Sequence, residues 1–269
     1  MAIFKRNSSS VPVPFDSVRF ATSWLLPPSV LFILRALISL YLFISVITTL
    51  ALLNKRNPST ARHYFSYFTS LTYWGLAFYF AFAAAHTGSY WRSGNPFLSR
   101  WPKVLQHMHS IYYSTITTYP FLVTIVYWAL IYIGFNDQFE WYKNISEHAL
   151  NSVFALFEIF IPRTAAPPIL HVVPAVIILA LYLGLAYVTL ASNHFYVYSF
   201  LDPKNHSRGV IAGYIIGILV GTIIVFFIVH FVIKGRRWVI EEKMGKRGKF
   251  TLGRVSGEDI ERADVYVEK

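Results

Sequence analysis

The run from residue 29 to residue 53 reads Ser29-Val-Leu-Phe-Ile-Leu-Arg-Ala-Leu-Ile-Ser-Leu-Tyr-Leu-Phe-Ile-Ser-Val-Ile-Thr-Thr-Leu-Ala-Leu-Leu53, and Arg35 is its single charged residue. A helix needs about 20 apolar residues to cross a bilayer core, so such a run is a candidate transmembrane helix. The run is too long for the apolar core of a cleavable signal peptide, and 28 residues precede it. We therefore predict that it forms the first membrane span.

Five more apolar runs follow the first, at residues 65–86, 110–134, 144–161, 169–191 and 210–233. The run 144–161 is the shortest of them and the richest in polar residues. This pattern predicts an all-α, polytopic integral membrane protein whose six transmembrane helices occupy residues 29–233. Residues 1–28 form a preceding segment, and the charged stretch 234–269 is typical of a basic, largely disordered tail.

The distribution of Lys and Arg predicts the orientation, because loops rich in these residues stay in the cytoplasm. Six crossings place both termini on one side, which carries seventeen Lys and Arg residues, whereas the other side carries six. We expect both termini to be cytoplasmic. The location expected is the endoplasmic reticulum or another endomembrane, with the plasma membrane as the alternative.

The composition excludes several classes of protein. Although the net charge is +11, only 14% of the residues are charged. The excess lies near the last span, where the basic segment from Lys234 is expected to contact anionic lipid headgroups and not nucleic acid. The absence of cysteine excludes disulfides, zinc–thiolate sites and cysteine nucleophiles. The nine histidines include no i,i+3 or i,i+4 pair, which argues against a histidine-box or HExxH metal site, and the sequence has no GxGxxG or Walker-type loop. We therefore expect neither a metal nor an organic cofactor.

The fourth predicted span concentrates polar residues. An ideal helix places Glu147, His148, Asn151 and Glu158 on one face, which is expected to point into the bundle. Glu158 lies at the depth of Arg35 in the first span. Since neither charge is stable alone in lipid, we predict a structural Arg35–Glu158 ion pair. Asn151, one turn below His148, is a candidate for orienting that histidine or binding a substrate.

The second predicted span has a comparable polar face around Thr69, formed with Ser66, Thr72 and Tyr73. In the six-span topology, Thr69 and His148 both lie about one helical turn below the lumenal surface. A threonine hydroxyl needs an adjacent base to become a nucleophile, and an imidazole can serve as that base. The alternative is structural, since membrane threonines commonly bond to their own helix and histidines commonly join helices.

Three segments resemble the family of the androgen-induced gene 1 protein and its fungal and plant relatives. They are Tyr67-Phe-Thr-Ser-Leu-Thr-Tyr-Trp74, Glu147-His-Ala-Leu-Asn-Ser-Val-Phe-Ala-Leu-Phe-Glu158 and Phe195-Tyr-Val-Tyr-Ser-Phe-Leu-Asp202. Characterised members are membrane threonine hydrolases that cleave fatty acid esters of hydroxy fatty acids. The resemblance implies that Thr69 is the nucleophile and His148 the base. The second segment also resembles rolling-stone-type membrane proteins, which are associated with cell fusion.

We therefore expect an intramembrane lipid ester hydrolase, for which membrane lipids are both the substrate and the solvent. Candidate oxyanion donors or substrate-binding groups are the side chains of Ser66, Thr72, Tyr73 and Asn151. Two other classes remain open at this point. One is a non-enzymatic membrane protein for fusion, trafficking or lipid binding, and the other is a transporter that uses the buried acids and His148 as a relay.

Overall fold

The computed structural model describes residues 15–246, and within that range the secondary structure is helical, with one isolated β-bridge and no strand. The chain forms nine α-helices there. They are α1 (Ser17–Ala21), α2 (Pro28–Arg56), α3 (Pro58–Arg62), α4 (Phe68–Ser93), α5 (Lys103–Val126), α6 (Gln138–Ile145), α7 (Asn151–Phe160), α8 (Val172–Asn193) and α9 (Arg208–Arg237).

Three π-helical turns extend or join these helices. Tyr127–Ile131 continues α5, Ser146–Leu150 joins α6 to α7, and Trp238–Lys243 continues α9. Residues 138–160 therefore form one unbroken helical segment of 23 residues, which we call the polar helix.

Five helices are long and apolar enough to cross a membrane: Pro28–Arg56, Phe68–Ser93, Lys103–Ile131, Ile169–Asn193 and Arg208–Lys243. They coincide with five of the six predicted spans, and the protein is a membrane protein by this criterion. The polar helix is not among the five, because Glu147, His148, Asn151 and Glu158 dilute its apolar residues.

The polar helix runs alongside α2 in the opposite direction. At its start, Asp137 forms an ion pair with Arg56 at the end of α2. At its end, Pro162 forms a β-bridge with Ser23, which lies just before α2. At about 1.5 Å per residue, its 23 residues cover about 34 Å, a length similar to the thickness of a bilayer core.

A buried ion pair joins α2 to the polar helix. The Arg35 Nε donates to Glu158 Oε1 at 2.8 Å, Arg35 Nη2 donates to Oε2 at 2.7 Å, and neither side chain is exposed. Arg35 Nη1 also donates to the Phe20 carbonyl at 2.7 Å and to Thr87 Oγ1 at 2.6 Å. The structure thus forms the pair that matching depth predicted, and the same guanidinium links α1, α2, α4 and α7.

The last helix extends further than predicted. The apolar pattern predicted that the sixth span ends at residue 233 and that residues 234–269 form a largely disordered tail. However, α9 and its π-helical turn continue to Lys243. The extension is stabilised because the buried Arg236 donates to the carbonyl of Pro162 at 2.7 Å and to those of Ile159 and Thr164. Residues 1–14 and 247–269 lie outside the described residues.

Replacing one member of the Arg35–Glu158 pair should be strongly destabilising. Arg35→Met leaves the Glu158 carboxylate buried without its cation, which costs about 3–5 kcal/mol of unfolding free energy. Arg35→Met combined with Glu158→Met should return most of that loss. The measurement is thermal or denaturant unfolding in detergent.

The matched control is Arg56→Met, which breaks the half-exposed Arg56–Asp137 pair. Exposed pairs contribute about 0–1 kcal/mol, so this variant should unfold close to the wild type. Equal losses for Arg35→Met and Arg56→Met would contradict a special role for the buried pair.

Candidate functional site

An apolar cavity of about 240 Å³ lies among α4, α5, α8, α9 and the turn Ser199–Leu201. Most of its wall consists of Leu, Ile, Val and Phe side chains. The polar groups on the wall are hydroxyls, contributed by Thr69, Tyr127, Tyr182 and Tyr198. A cavity of this kind suits the acyl chain of a lipid, with hydroxyls to contact its polar part.

Thr69 is the second residue of α4 and is 9% exposed. The sequence predicted that the span begins at residue 65, but the chain forms a short 3₁₀ turn at Tyr64–Ser66, and the α-helix begins at Phe68. Thr69 therefore lies in the first turn, where backbone amides have no partner within the helix and the helix dipole favours negative charge.

The amides of this first turn are only partly paired. The Phe68 amide donates to the Tyr198 hydroxyl at 3.1 Å, and the Leu71 amide donates to the Tyr67 carbonyl at 3.2 Å. In the part of the chain that the structure describes, the amides of Thr69 and Ser70 have no acceptor. Two backbone donors in the first turn of α4 thus have no partner among the described residues.

Tyr198 connects the loop after α8 to the start of α4. Burial raises the pKa of Tyr198, and hydrogen bonds that its oxygen shares with Tyr182, the Phe68 amide and the Thr69 side chain partly oppose that rise. The Tyr198 phenol therefore remains protonated at neutral pH and fixes the side of the cavity on which Thr69 lies.

His148 lies in the π-helical turn of the polar helix and is 6% exposed. Its ring stacks on Tyr127, with ring centroids 3.6 Å apart and an interplanar angle of 3°. Tyr127 lines the cavity and His148 does not, so Tyr127 connects the imidazole to the wall that contains Thr69. Within residues 15–246, His148 Nδ1 has no hydrogen-bond partner, and no hydrogen bond joins His148 to Thr69.

Asn151 binds α5 and not His148. Its side-chain oxygen accepts from Thr124 Oγ1 at 3.2 Å, and its Nδ2 donates to the Pro120 carbonyl at 3.4 Å. Ser152 also donates its amide to the Asn151 oxygen at 2.7 Å. Asn151 therefore joins the polar helix to α5 close to the proline of α5.

The three polar neighbours predicted around Thr69 are each engaged elsewhere. Ser66 accepts from Tyr182 at its carbonyl and from Thr189 at its hydroxyl. The Thr72 hydroxyl donates back to the carbonyls of its own helix at residues 68 and 69. The Tyr73 hydroxyl bonds to Ser146 Oγ at 2.5 Å. None of the three lines the cavity with Thr69.

The polar residues of the polar helix do not share one face. The Tyr64 hydroxyl donates to Glu147 Oε1 at 3.0 Å, and Glu158 pairs with Arg35 of α2. His148 stacks on the π-helical continuation of α5, and Asn151 bonds to α5 itself. The reason is the π-helical turn, which adds a residue to the turn and rotates the residues after it relative to an ideal α-helix. All four side chains are nevertheless buried, as the sequence predicted.

Sequence reasoning missed the groups that complete this site. These are the tyrosines Tyr127, Tyr182 and Tyr198 and the amides of Thr69 and Ser70. The aromatic segment 195–202 could have indicated Tyr198. The unpaired amides could not be predicted, because they depend on the residue at which α4 begins. Within the described residues, no group of three or more His, Asp or Glu side chains could hold a metal ion.

No protein-family model, curated protein or solved structure matches this chain. The geometry of the site is that of an apolar cavity with Thr69, in the first turn of α4, on its wall.

Filling the cavity should block access to this site. Ala180 lies on the cavity wall in α8, and Ala180→Phe adds a ring there. We expect crosslinking of a photoreactive long-chain fatty ester in membranes to fall severalfold. Ala191→Phe, at an alanine of the same helix that does not line the cavity, is the control and should crosslink as the wild type does. Unchanged crosslinking by Ala180→Phe would show that acyl chains bind elsewhere.

Proposed function

We propose that this protein is an intramembrane lipid ester hydrolase with Thr69 as the nucleophile. The observation that supports this proposal most directly is the placement of Thr69 in the first turn of α4, at the wall of an otherwise apolar cavity. Its substrates would be fatty acyl esters, including fatty acid esters of hydroxy fatty acids, as the family resemblance implies.

In the proposed reaction, the Thr69 oxygen attacks the ester carbonyl carbon, and the hydroxyl proton passes to the imidazole of His148. The amides of Thr69 and Ser70 would donate to the oxyanion that forms, in a position where the helix dipole also stabilises negative charge. The imidazolium returns the proton to the departing alcohol. Water then cleaves the acyl-threonine and regenerates the hydroxyl.

His148 has to reach the cavity for this reaction. The Tyr127 ring stacks on His148 and lines the cavity, so a rotation of Tyr127 away from His148 would open the cavity to the imidazole. The continuation of α5 at Tyr127–Ile131 is π-helical, and π-helical turns are frequent at functional sites. We propose that substrate binding is linked to this movement.

We also propose that the polar helix is a sixth membrane span and that both termini are cytoplasmic. The support is its path beside α2 from Arg56 to Ser23, together with its buried polar residues. The excess of Lys and Arg on the side of the termini supports the orientation. The endoplasmic reticulum or another endomembrane is the compartment that we propose.

A second candidate function is lipid binding without catalysis. The observation that favours it is the lack of a hydrogen bond between Thr69 and His148 in the described residues, although the cavity itself suits an acyl chain. A lipid-binding protein would need the cavity but neither a reactive hydroxyl nor a base.

Labelling of membranes with a fluorophosphonate probe should distinguish these two functions. We expect the wild type to be labelled, Thr69→Ala to lose labelling and His148→Ala to be labelled about a hundredfold more slowly, since a general base contributes about 10²–10⁴-fold. The readout is in-gel fluorescence over time.

Thr72→Ala is the matched control, because Thr72 lies three residues from Thr69 and its hydroxyl bonds to its own helix. It should be labelled as the wild type is. Folded wild-type protein that resists the probe would favour the lipid-binding function, and labelling that survives in Thr69→Ala would identify another nucleophile.

The number of spans can be tested directly, because the chain has no cysteine of its own. We propose single-cysteine variants at the exposed residues Ser99, Gln138 and Lys204. With six spans, an impermeant maleimide should label Ser99→Cys in sealed vesicles with cytoplasmic sides outward. Gln138→Cys and Lys204→Cys should be labelled only after permeabilisation. If the polar helix does not cross, the last two variants will differ from each other.

A further inference from the structure

Three arginines from distant parts of the chain surround one carboxylate at the end of the bundle where α2 begins. Glu241 forms an ion pair with Arg19 of α1, and its oxygens lie 3.8 Å from Arg163 Nε and 3.6 Å from Arg237 Nε. Arg163 lies in the loop after α7, and Arg237 is the last residue of α9. We call these four residues the arginine cluster.

The arginine cluster carries more positive charge than its carboxylate balances. It contains three guanidinium groups and one carboxylate. Asp16 lies nearby, but its side chain accepts from the amides of Val18 and Arg19 and caps α1. Burial lowers the pKa of Arg163, and repulsion from Arg19 lowers it further, against the attraction of Glu241 and Asp16. Among the described residues, the positive charge in this cluster is thus only partly compensated.

Hydrogen-bond donors in the cluster are also unused. Within the described residues, the Nε atoms of Arg19 and Arg163 are buried and have no hydrogen-bond partner, and the two side chains are only 14% and 11% exposed. Buried donors of this kind are costly to leave unpaired. Arg237 is 50% exposed, so the cluster is open on its side. An anion that enters there could pair with these donors.

The surroundings hold the cluster in place. Arg163 donates its amide to the Thr22 carbonyl at 2.8 Å, and Arg236 donates to the Pro162 carbonyl at 2.7 Å. These bonds fix the loop after α7 against α1 and α9. The guanidinium groups of Arg19 and Arg163 therefore lie in a rigid frame, which favours binding of a small anion over loose charge attraction.

Two tryptophans mark the level of the cluster in the bilayer. Trp24 and Trp238 lie beside it in the chain, and each is covered by a lysine, Lys246 and Lys243 respectively. Tryptophan and lysine are typical of the membrane–water interface. The residues beside the cluster are therefore of the types found at the level of the lipid phosphate groups.

We propose that the arginine cluster binds a phosphate group, with Glu241 occupying part of the same site when the phosphate is absent. Guanidinium groups suit this ligand because they bind phosphate oxygens in pairs. The phosphate could belong to the headgroup of an anionic phospholipid or to a soluble phosphate monoester. This inference does not depend on catalysis at Thr69.

The test uses the full chain in nanodiscs of phosphatidylcholine with or without phosphatidic acid, and measures bound lipid by native mass spectrometry. We expect the wild type to retain phosphatidic acid and Arg163→Gln to retain about tenfold less, which corresponds to the loss of one charge-assisted contact. Glycerol 3-phosphate is added in a second arm. If it displaces the lipid or binds without it, the site accepts soluble phosphate monoesters; if it does neither, the site requires a headgroup in the membrane.

Two further variants separate phosphate binding from general charge attraction. Arg208→Gln removes a cation at the start of α9, at the other end of the bundle, and should bind phosphatidic acid as the wild type does. Glu241→Gln removes the competing carboxylate and should bind several times more tightly. Equal losses in Arg163→Gln and Arg208→Gln, or weaker binding in Glu241→Gln, would overturn the proposal.

Discussion

The buried pair of Arg35 and Glu158 is the constraint on which the rest of the bundle depends. A charge in a membrane interior must be paired, and the bidentate geometry of a guanidinium allows only a narrow set of helix positions. Arg35 also bonds to the Phe20 carbonyl and to Thr87. One side chain therefore sets the spacing of α1, α2, α4 and α7, and the polar helix lies in the bundle at a register fixed by Glu158.

Much of this fold could be predicted from the residues. Apolar runs located five spans to within a few residues at most ends, and the depth of two charges predicted which of them would meet. The start of α4 could not be predicted, because a 3₁₀ turn and the Tyr198 hydroxyl determine it, and both depend on contacts from distant segments. The end of α9 could not be predicted either, because Arg236 donates to carbonyls of the distant segment 159–164.

The candidate site was predicted less completely than the fold. Thr69 and His148 were predicted from residue type and depth. Depth does not indicate that the Tyr127 ring stacks on His148 and forms the cavity wall on that side. A cavity is formed by the packing of four helices and a loop, so no local pattern indicates it. The free amides at Thr69 and Ser70 are backbone groups, which residue type cannot reveal.

The π-helical turn at Ser146–Leu150 has a consequence for how this protein can vary. A π turn is one residue longer than the α turn it replaces, so removal of a single residue there would restore a regular helix. Because the extra residue is absorbed within the turn, its removal would leave Glu158 close to Arg35. A deletion in the regular helix between this turn and Glu158 would instead turn Glu158 by about 100° away from Arg35. Loss of a single residue should therefore be tolerated in the π-helical turn and not in the α-helical segment that follows it.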